Sequence, residues 1–412
     1  MRLRQAGRRR GRAINHGHQS LHSKTRVSKR IWENGRSGRI RTCDPCVPNA
    51  VLYRAEPRSD KNAAYSLGFR APQEADFEDL IPVKLGLKTQ ILPAADAAAV
   101  ASAASCLREG GLVAFPTETV YGLGADAAQA PAIARLYEAK GRPSFNPLIA
   151  HVADIATARQ IARFDATALK LAEAFWPGPL TLVLRKAPDC PVAELATAGL
   201  DTVAIRVPAH PVAKALLRAF GGAVVAPSAN LSGHVSPTTA AHVAGDLTGR
   251  IDLIVDGGPV TVGVESTIVA CFEETLLLRP GGLPREAIER VLGRALQRPP
   301  EDTVTDNAQP LAPGMLASHY APRTPVRLNA SHVDPDEALL AFGAAVVNGA
   351  HAAKAVMNLS AAGDLNEAAT HLFGYLRILD AKGARAIAVM AVPHHGLGEA
   401  INDRLRRAAM GR

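Results

Sequence analysis

Gly110-Gly111-Leu112-Val113-Ala114-Phe115-Pro116-Thr117-Glu118-Thr119-Val120-Tyr121-Gly122-Leu123-Gly124-Ala125-Asp126-Ala127 decides how this chain reads. The apolar run 112–115 predicts a strand, and Pro116 ends it. Two threonines and a glutamate follow, and Gly122, Gly124 and Ala125 supply the small residues of a turn. Apolar run, proline, polar tip and glycines predict a strand that delivers a polar loop to a pocket. Taken alone, the pattern better suits an ordinary Thr/Gly loop. The similar strand ends further along give the pocket reading weight.

Upstream, 97–107 reads as an Ala-rich helix ending at Gly110. Downstream, 131–140 carries Ile133, Leu136, Tyr137 and Lys140 at i, i+3, i+4 and i+7, a helix whose stripe faces a core. Lys140 falls in the last turn, where its ammonium is expected to leave the core, and Gly141 stops the helix. Arg142-Pro143-Ser144-Phe145-Asn146-Pro147 turns into a strand through His151. A helix at 166–175 and a hard turn at Trp176-Pro177-Gly178-Pro179 lead to a buried strand, 180–184. In 202–207, Val203, Ile205 and Val207 face one way and Thr202, Ala204 and Arg206 the other. Thr202 and Arg206 thus share a face, which suits either half a binding site or a solvated surface. Strands at 223–227, 251–255 and 276–279 end in Ser228-Ala229-Asn230, Asp256-Gly257-Gly258 and Arg279-Pro280-Gly281. Ser236-Pro237 reads as a helix N-cap with proline at N1. Glu265-Ser266-Thr267 opens another strand, and a helix at 284–292 closes the domain.

Residues 295–324 form a Pro-rich linker. Beyond it, strand-like runs at 326–328, 344–347, 355–359 and 386–389 alternate with helical segments, notably 364–382. That alternation predicts a small, mostly parallel α/β domain over 325–412. His394-His395 reads as a loop feature rather than a metal site.

Composition sets the outer limits. Of 412 residues, 47% are hydrophobic, so a large core is available. No apolar run approaches the length of a membrane span. The five cysteines are too few and scattered for a disulfide framework, and Cys43-Asp-Pro-Cys46 lacks a second ligand pair for zinc. A reducing, cytoplasmic setting is expected. Residues 1–72 hold 17 Lys/Arg against 4 Asp/Glu, a surplus of 13 within the overall +9, which leaves −4 for the rest. The basic segment 1–85 shows no periodicity and is expected to be disordered, an extension outside the folded protein rather than an RNA-binding arm. The body carries no general nucleic-acid footprint.

The chemistry gathers at strand ends: Thr117, Thr119, Thr202, Arg206, Ser228, Asn230, Ser266, Thr267 and Arg279. Hydroxyls and guanidiniums in company suit a phosphate-rich ligand and a carboxylate, because arginine pairs either one bidentately. There is no P-loop run, no Gly-x-Gly-x-x-Gly, no Gly-x-Ser-x-Gly and no His-Glu-x-x-His. Hydrolase readings therefore lack support.

The ordered motifs Phe115-Pro116-Thr117-Glu118-Thr119-Val120-Tyr121-Gly122-Leu123, Lys140-Gly141-Arg142-Pro143 with Asn146-Pro147-Leu148, Trp176-Pro177-Gly178-Pro179, Pro227-Ser228-Ala229-Asn230 and Glu265-Ser266-Thr267 resemble the YrdC-like L-threonylcarbamoyl-AMP synthases. The linker's His319-Tyr320-Ala321-Pro322 and the second domain resemble the long form of that family. The resemblance covers about residues 88–412, with the catalytic domain over 88–294. It implies a twisted mixed α/β sheet with flanking helices around a concave cleft, plus a small Rossmann-like α/β domain.

It also implies synthesis of threonylcarbamoyl-AMP and pyrophosphate from L-threonine, bicarbonate or carbon dioxide, and ATP with Mg²⁺. The product would pass to the downstream tRNA threonylcarbamoyl-transfer machinery for t6A modification of ANN-decoding tRNAs. By the resemblance, Thr119, His151, Arg206 and Ser266 hold threonine, with Arg206 forking its carboxylate. Lys140, Arg142, Asn146, Thr202, Ser228, Ser236, Arg279 and Tyr320 hold ATP. Lys140 and Arg142 act electrostatically, and no residue is expected as a nucleophile or a metal ligand. Ala226 stands where some relatives have a threonine. Thr117 and Glu118 are expected only to shape the loop. A noncatalytic RNA-binding module of the same fold is the alternative, opposed by the net −4 of the body. A carbamoyl-transfer maturation enzyme would need zinc-finger and acylphosphatase-like modules that this chain lacks.

Overall fold

The computed structural model describes residues 87–299 and 319–411. The basic 1–85 segment with Cys43 and Cys46, and most of the Pro-rich linker, lie outside the described residues.

The first part begins with β1 (Gln90–Pro93), α1 (Ala99–Arg108), β2 (Val113–Pro116), β3 (Tyr121–Asp126), α2 (Ala130–Lys140) and β4 (Ile149–His151). It continues through α3 (Ile155–Ile161), α4 (Ala166–Phe175), β5 (Leu180–Arg185), α5 (Glu194–Thr197), β6 (Thr202–Arg206), α6 (Pro211–Phe220) and β7 (Val224–Val225). It ends with α7 (Ala240–Leu247), β8 (Leu253–Asp256), β9 (Thr267–Cys271), β10 (Thr275–Arg279) and α8 (Arg285–Leu292). The ten strands make one mixed sheet, ordered β1-β8-β2-β3-β7-β4-β6-β5-β9-β10. The second part holds β11 (Val326–Arg327), β12 (Ala338–Ala341), β13 (Ala355–Asn358), α9 (Leu365–Asp380), β14 (Ile387–Val389) and α10 (Gly398–Ala409). Its four strands are ordered β11-β14-β12-β13 and all pair in parallel.

Alternation in β6 sorts its faces. Val203, Ile205 and Val207 join the main core with α2, α3 and α4, while Ala204 joins Ile149, Val183, Ile268 and Leu278 on the other side. Arg206, in phase with Ala204, therefore emerges on that second face. Asp364 caps α9 by accepting from the amides of Asn366 and Glu367. Leu372, Phe373, Leu376 and Leu379 of α9 are fully buried, and each such side chain contributes about 1.5–3 kcal/mol by leaving water.

Four expectations change. Gly122, Gly124 and Ala125 make no turn but lie in β3, which pairs antiparallel with β2. Residues 344–347 form no strand; the strand is Ala338–Ala341, placed between β14 and β13. The sequence on either side, Ala-rich throughout, gives no edge by which to locate it. Ser236 is not an N-cap: α7 starts later, capped by Thr239, whose hydroxyl accepts from the His242 amide. Lys140 does sit on the buried stripe of α2, but its ammonium stays inside at 2% exposure.

Candidate functional site

The cleft opens on the face that carries Arg206. Its cavity volume is about 50 Å³. Strand ends and the loops that follow them build its walls. Thr119 and Val120 come from the β2–β3 loop, Ile149 and His151 from β4, Arg206 from β6, and Ala226 to Ser228 from the end of β7. Glu265 and Ser266 precede β9, Arg279 ends β10, and His319 and Tyr320 come from the linker. Strand register makes His151 and Arg206 direct neighbours.

On one side a relay of donors fixes the hydroxyls. Thr117 Oγ1 donates to the Val120 carbonyl at 2.7 Å, so its single proton is spent. It must accept from Thr119 Oγ1, 2.8 Å away, and Thr119 in turn accepts from Arg206 Nη1 at 2.9 Å. Thr119 therefore meets the cleft with a remaining lone pair and no free proton. It can receive an ammonium or hydroxyl donor, not a carboxylate.

Arg206 is tied further. Nε donates to the Gly178 carbonyl at 3.1 Å, and Nη2 to Glu118 Oε1 at 2.7 Å. The other Glu118 oxygen accepts from the Ala209 amide. Burial by itself would raise the Glu118 carboxyl, but Arg206 outweighs it and holds the group below its ordinary range. Glu118 is thus the counterion of Arg206, not merely a loop former. Part of the guanidinium is already spoken for, and one N–H on each terminal nitrogen has no partner among the described residues. His151 Nδ1 lies 3.1 Å from the Ile149 carbonyl, which can only accept, so Nδ1 carries the ring proton. Burial, then Arg206, lowers its pKa to about 3 and keeps the ring neutral.

Two more arginines line the cleft. Arg142 donates to the Pro147 carbonyl at 3.1 Å; burial lowers it to about 10, still charged at neutral pH. Arg279 Nη2 donates to the Ser266 carbonyl at 2.9 Å and to Ser266 Oγ at 3.3 Å. Ser266 Oγ also lies 2.7 Å from Thr181 Oγ1. Tyr320 is 1% exposed, holds a left-handed backbone (φ 64°) and stacks on Phe373 of α9 with ring centres 5.6 Å apart.

Of the residues expected at the site, Thr119, Arg142, His151, Arg206, Ser228, Ser266, Arg279 and Tyr320 line one cleft. Lys140, Asn146, Thr202 and Ser236 do not line it. Lys140 stands behind the wall, donating to the carbonyls of Ser228 and Asn230. Its burial, then Arg142 beside it, lowers its pKa well below the lysine range. Asn146 is buried, and its amide oxygen has no partner among the described residues. Thr202 begins β6 opposite Arg185, away from the Arg206 end. Ser236 donates to Glu265 Oε1. Ala226 brings only a methyl group to the wall.

Glu265, His319 and the distant Arg404 behind them were not expected. Glu265 lay beside a noticed serine, and a carboxylate in an apolar strand entry demands a cation partner. Arg404 offered no such signal, because it falls in an Arg-rich amphipathic helix.

A family model described as Telomere recombination (Sua5/YciO/YrdC) matches residues 105–281, and one described as Threonylcarbamoyl-AMP synthase, C-terminal domain matches residues 283–410. A threonylcarbamoyl-AMP synthase of Bacillus subtilis is 44% identical over 326 residues, 76% of this chain and 93% of the relative. One from Pyrococcus abyssi is 44% identical over 322 residues, 74% of this chain and 93% of the relative. The crystal structure of P. abyssi Sua5 complexed with L-threonine superposes with a TM-score of 0.70 at 40% identity, covering 78% of this chain and 97% of that one. The strand-end cleft thus sits in a chain whose two parts both match along their length, and the chain belongs to the threonylcarbamoyl-AMP synthase family.

Proposed function

We propose that this chain condenses L-threonine, bicarbonate or carbon dioxide, and ATP into threonylcarbamoyl-AMP and pyrophosphate, and that the product serves t6A modification of tRNA. One observation carries the reading. Arg206 and Thr119, bonded at 2.9 Å, place cationic donors and a hydroxyl acceptor side by side in a cleft that Arg142 and Arg279 also line.

An amino acid's carboxylate fits the uncommitted N–H groups of Arg206, and its ammonium or hydroxyl fits the lone pair of Thr119. The amine, once neutral, forms an N–C bond to carbon dioxide and gives up a proton to solvent. A carbamate oxygen then bonds to the α-phosphorus of ATP as the bond to the β-phosphate oxygen breaks. Pyrophosphate departs with the electron pair, its charge met by Arg142 and Arg279. Lys140 supports this side from behind, by fixing the loop that carries Ser228. The two carboxylates at the cleft, Glu118 and Glu265, are committed to Arg206 and Arg404. Magnesium therefore fits as part of the MgATP substrate, held by phosphate and water.

The test is incubation with ATP, bicarbonate and L-threonine while pyrophosphate is followed. Threonine-dependent release is expected; release indifferent to threonine, or none, overturns the reading.

A further inference from the structure

We propose that Arg404, on the last helix of the C-terminal domain, is a positioning residue of the catalytic cleft: it holds Glu265 and the ring of Tyr320, so that the small domain forms part of the site's wall.

Arg404 is fully buried, although α10 is otherwise a charged helix. Its Nε donates to Glu265 Oε2 at 2.8 Å, and Nη1 to the Pro280 carbonyl at 2.9 Å and to Asp403 Oδ2 at 2.6 Å. Its guanidinium carbon lies 5.2 Å from the centre of the Tyr320 ring. One side chain therefore grips three pieces of the cleft: the Glu265–Ser266 entry to β9, the turn after Arg279, and the linker tyrosine.

Glu265 passes the constraint on. Its second oxygen accepts from Ser236, and its carbonyl accepts from the Gly282 amide at 2.8 Å. The next residue, Ser266, receives Arg279 at both its carbonyl and its hydroxyl. Removing Arg404 would leave the Glu265 carboxylate buried without its closest cation and free the whole Glu265–Arg279 corner to shift. A displacement of even an ångström there matters for reactions that rest on alignment. The C-terminal domain is also fastened elsewhere, by Arg285 to Glu399 at 2.7 Å and Arg377 to Asp246 at 2.8 Å. Docking does not depend on Arg404 alone, which makes its full burial beneath the cleft the more telling.

The activity readout rests on the proposed synthase reaction, so nucleotide affinity is measured in parallel. Arg404→Met is expected to lower kcat/KM for ATP and for threonine at least ~10-fold and to weaken ATP binding by calorimetry at least ~5-fold. Arg404→Lys, which keeps one cationic donor, should recover part of both losses. Glu265→Gln should act in the same direction, and the double variant should lose far less than the product of the two single losses. Arg285→Met, which cuts another tie of the same helix, should stay within about twofold of wild type. A folded Arg404→Met with unchanged kcat/KM and ATP affinity overturns the proposal, and so does an equal loss in Arg285→Met. Should Arg404→Met fail to fold, Glu265→Gln at wild-type values overturns it. A wild-type protein that releases no pyrophosphate rejects the synthase reading alone, and the ATP affinities still decide the role of Arg404.

Discussion

Arg206 and Glu118, 88 positions apart in the chain, meet as a buried ion pair with 2.7 Å between Nη2 and Oε1. The pair orders the floor of the cleft. Glu118 turns the guanidinium so that Nη1 reaches Thr119, and Thr119 is thereby fixed as an acceptor.

Breaking such a pair from one side leaves a charge buried alone. Glu118→Ala is expected to cost about 3–5 kcal/mol in urea unfolding. Glu118→Gln keeps the shape and should cost less stability, while raising the KM for threonine because Arg206 loses its orientation. An unchanged KM in a stable Glu118→Gln protein would reduce Glu118 to a loop residue.

Arg206→Ala is expected to abolish threonine-dependent pyrophosphate release while ATP binding survives. Thr119→Val, which removes the hydroxyl together with its bonds to Thr117 and Arg206, should raise the KM for threonine about 10-fold or more, since a hydrogen bond to a charged group is worth about 1.5–3 kcal/mol. Equal loss of threonine and ATP binding in either variant would show that the two sides of the cleft are divided wrongly.

His151 predicts a pH dependence. Its folded pKa, about 3, lies below its ordinary 6.5, so the unfolded chain binds more protons between those values. Stability is complete above pH 6.5 and falls as pH drops toward 3, by about 1.4 kcal/mol per pH unit at most. Urea unfolding at pH 7.5 and pH 5 should show the loss; His210, His242 and His319, each lowered chiefly by burial, add to it in the same window, so His151→Gln should shrink the slope without abolishing it. The depressed carboxyls of Glu118 and Glu265 act in the same direction but only below about 4.5, their ordinary value. An unchanged slope in His151→Gln would remove His151 as a source.

Gly281 tests the corner beneath Arg279. A β-carbon there would fall 2.4 Å from the Glu265 carbonyl oxygen, the Ser266 carbonyl carbon and the Thr267 nitrogen. These are backbone atoms and cannot swing aside. Gly281→Ala is expected to cost about 1–3 kcal/mol or more and to lower activity beyond that loss, by displacing Ser266. Melting temperature and kcat/KM within error of wild type would contradict the close packing.

Much of the fold was legible because its signals are local. The stripe of Ile133, Leu136, Tyr137 and Lys140 gave α2, the alternation of Val203, Ile205 and Val207 gave the faces of β6, and Asp364 marked the start of α9. The strand ends that carry Thr119, Arg206, Ser228, Ser266 and Arg279 were also readable, since polar tips on apolar runs stand out. Ala338–Ala341 was missed because an Ala-rich strand between Ala-rich neighbours has no contrast.

What a side chain does at a strand end is set by partners far along the chain. Lys140 lay on a stripe that the sequence announced, but only the fold brought the carbonyls of Ser228 and Asn230 to its ammonium and kept it inside. Glu118 looked like part of a loop until β6 placed Arg206 against it. Arg404 looked like one arginine among several until α10 packed beneath the cleft. Periodicity and turn chemistry act over a few residues, so most elements, their faces and the family motifs can be read from the sequence. The tertiary structure alone decided the pairing of buried charges, because desolvation makes each such charge depend on whichever partner the packing of distant segments brings within reach.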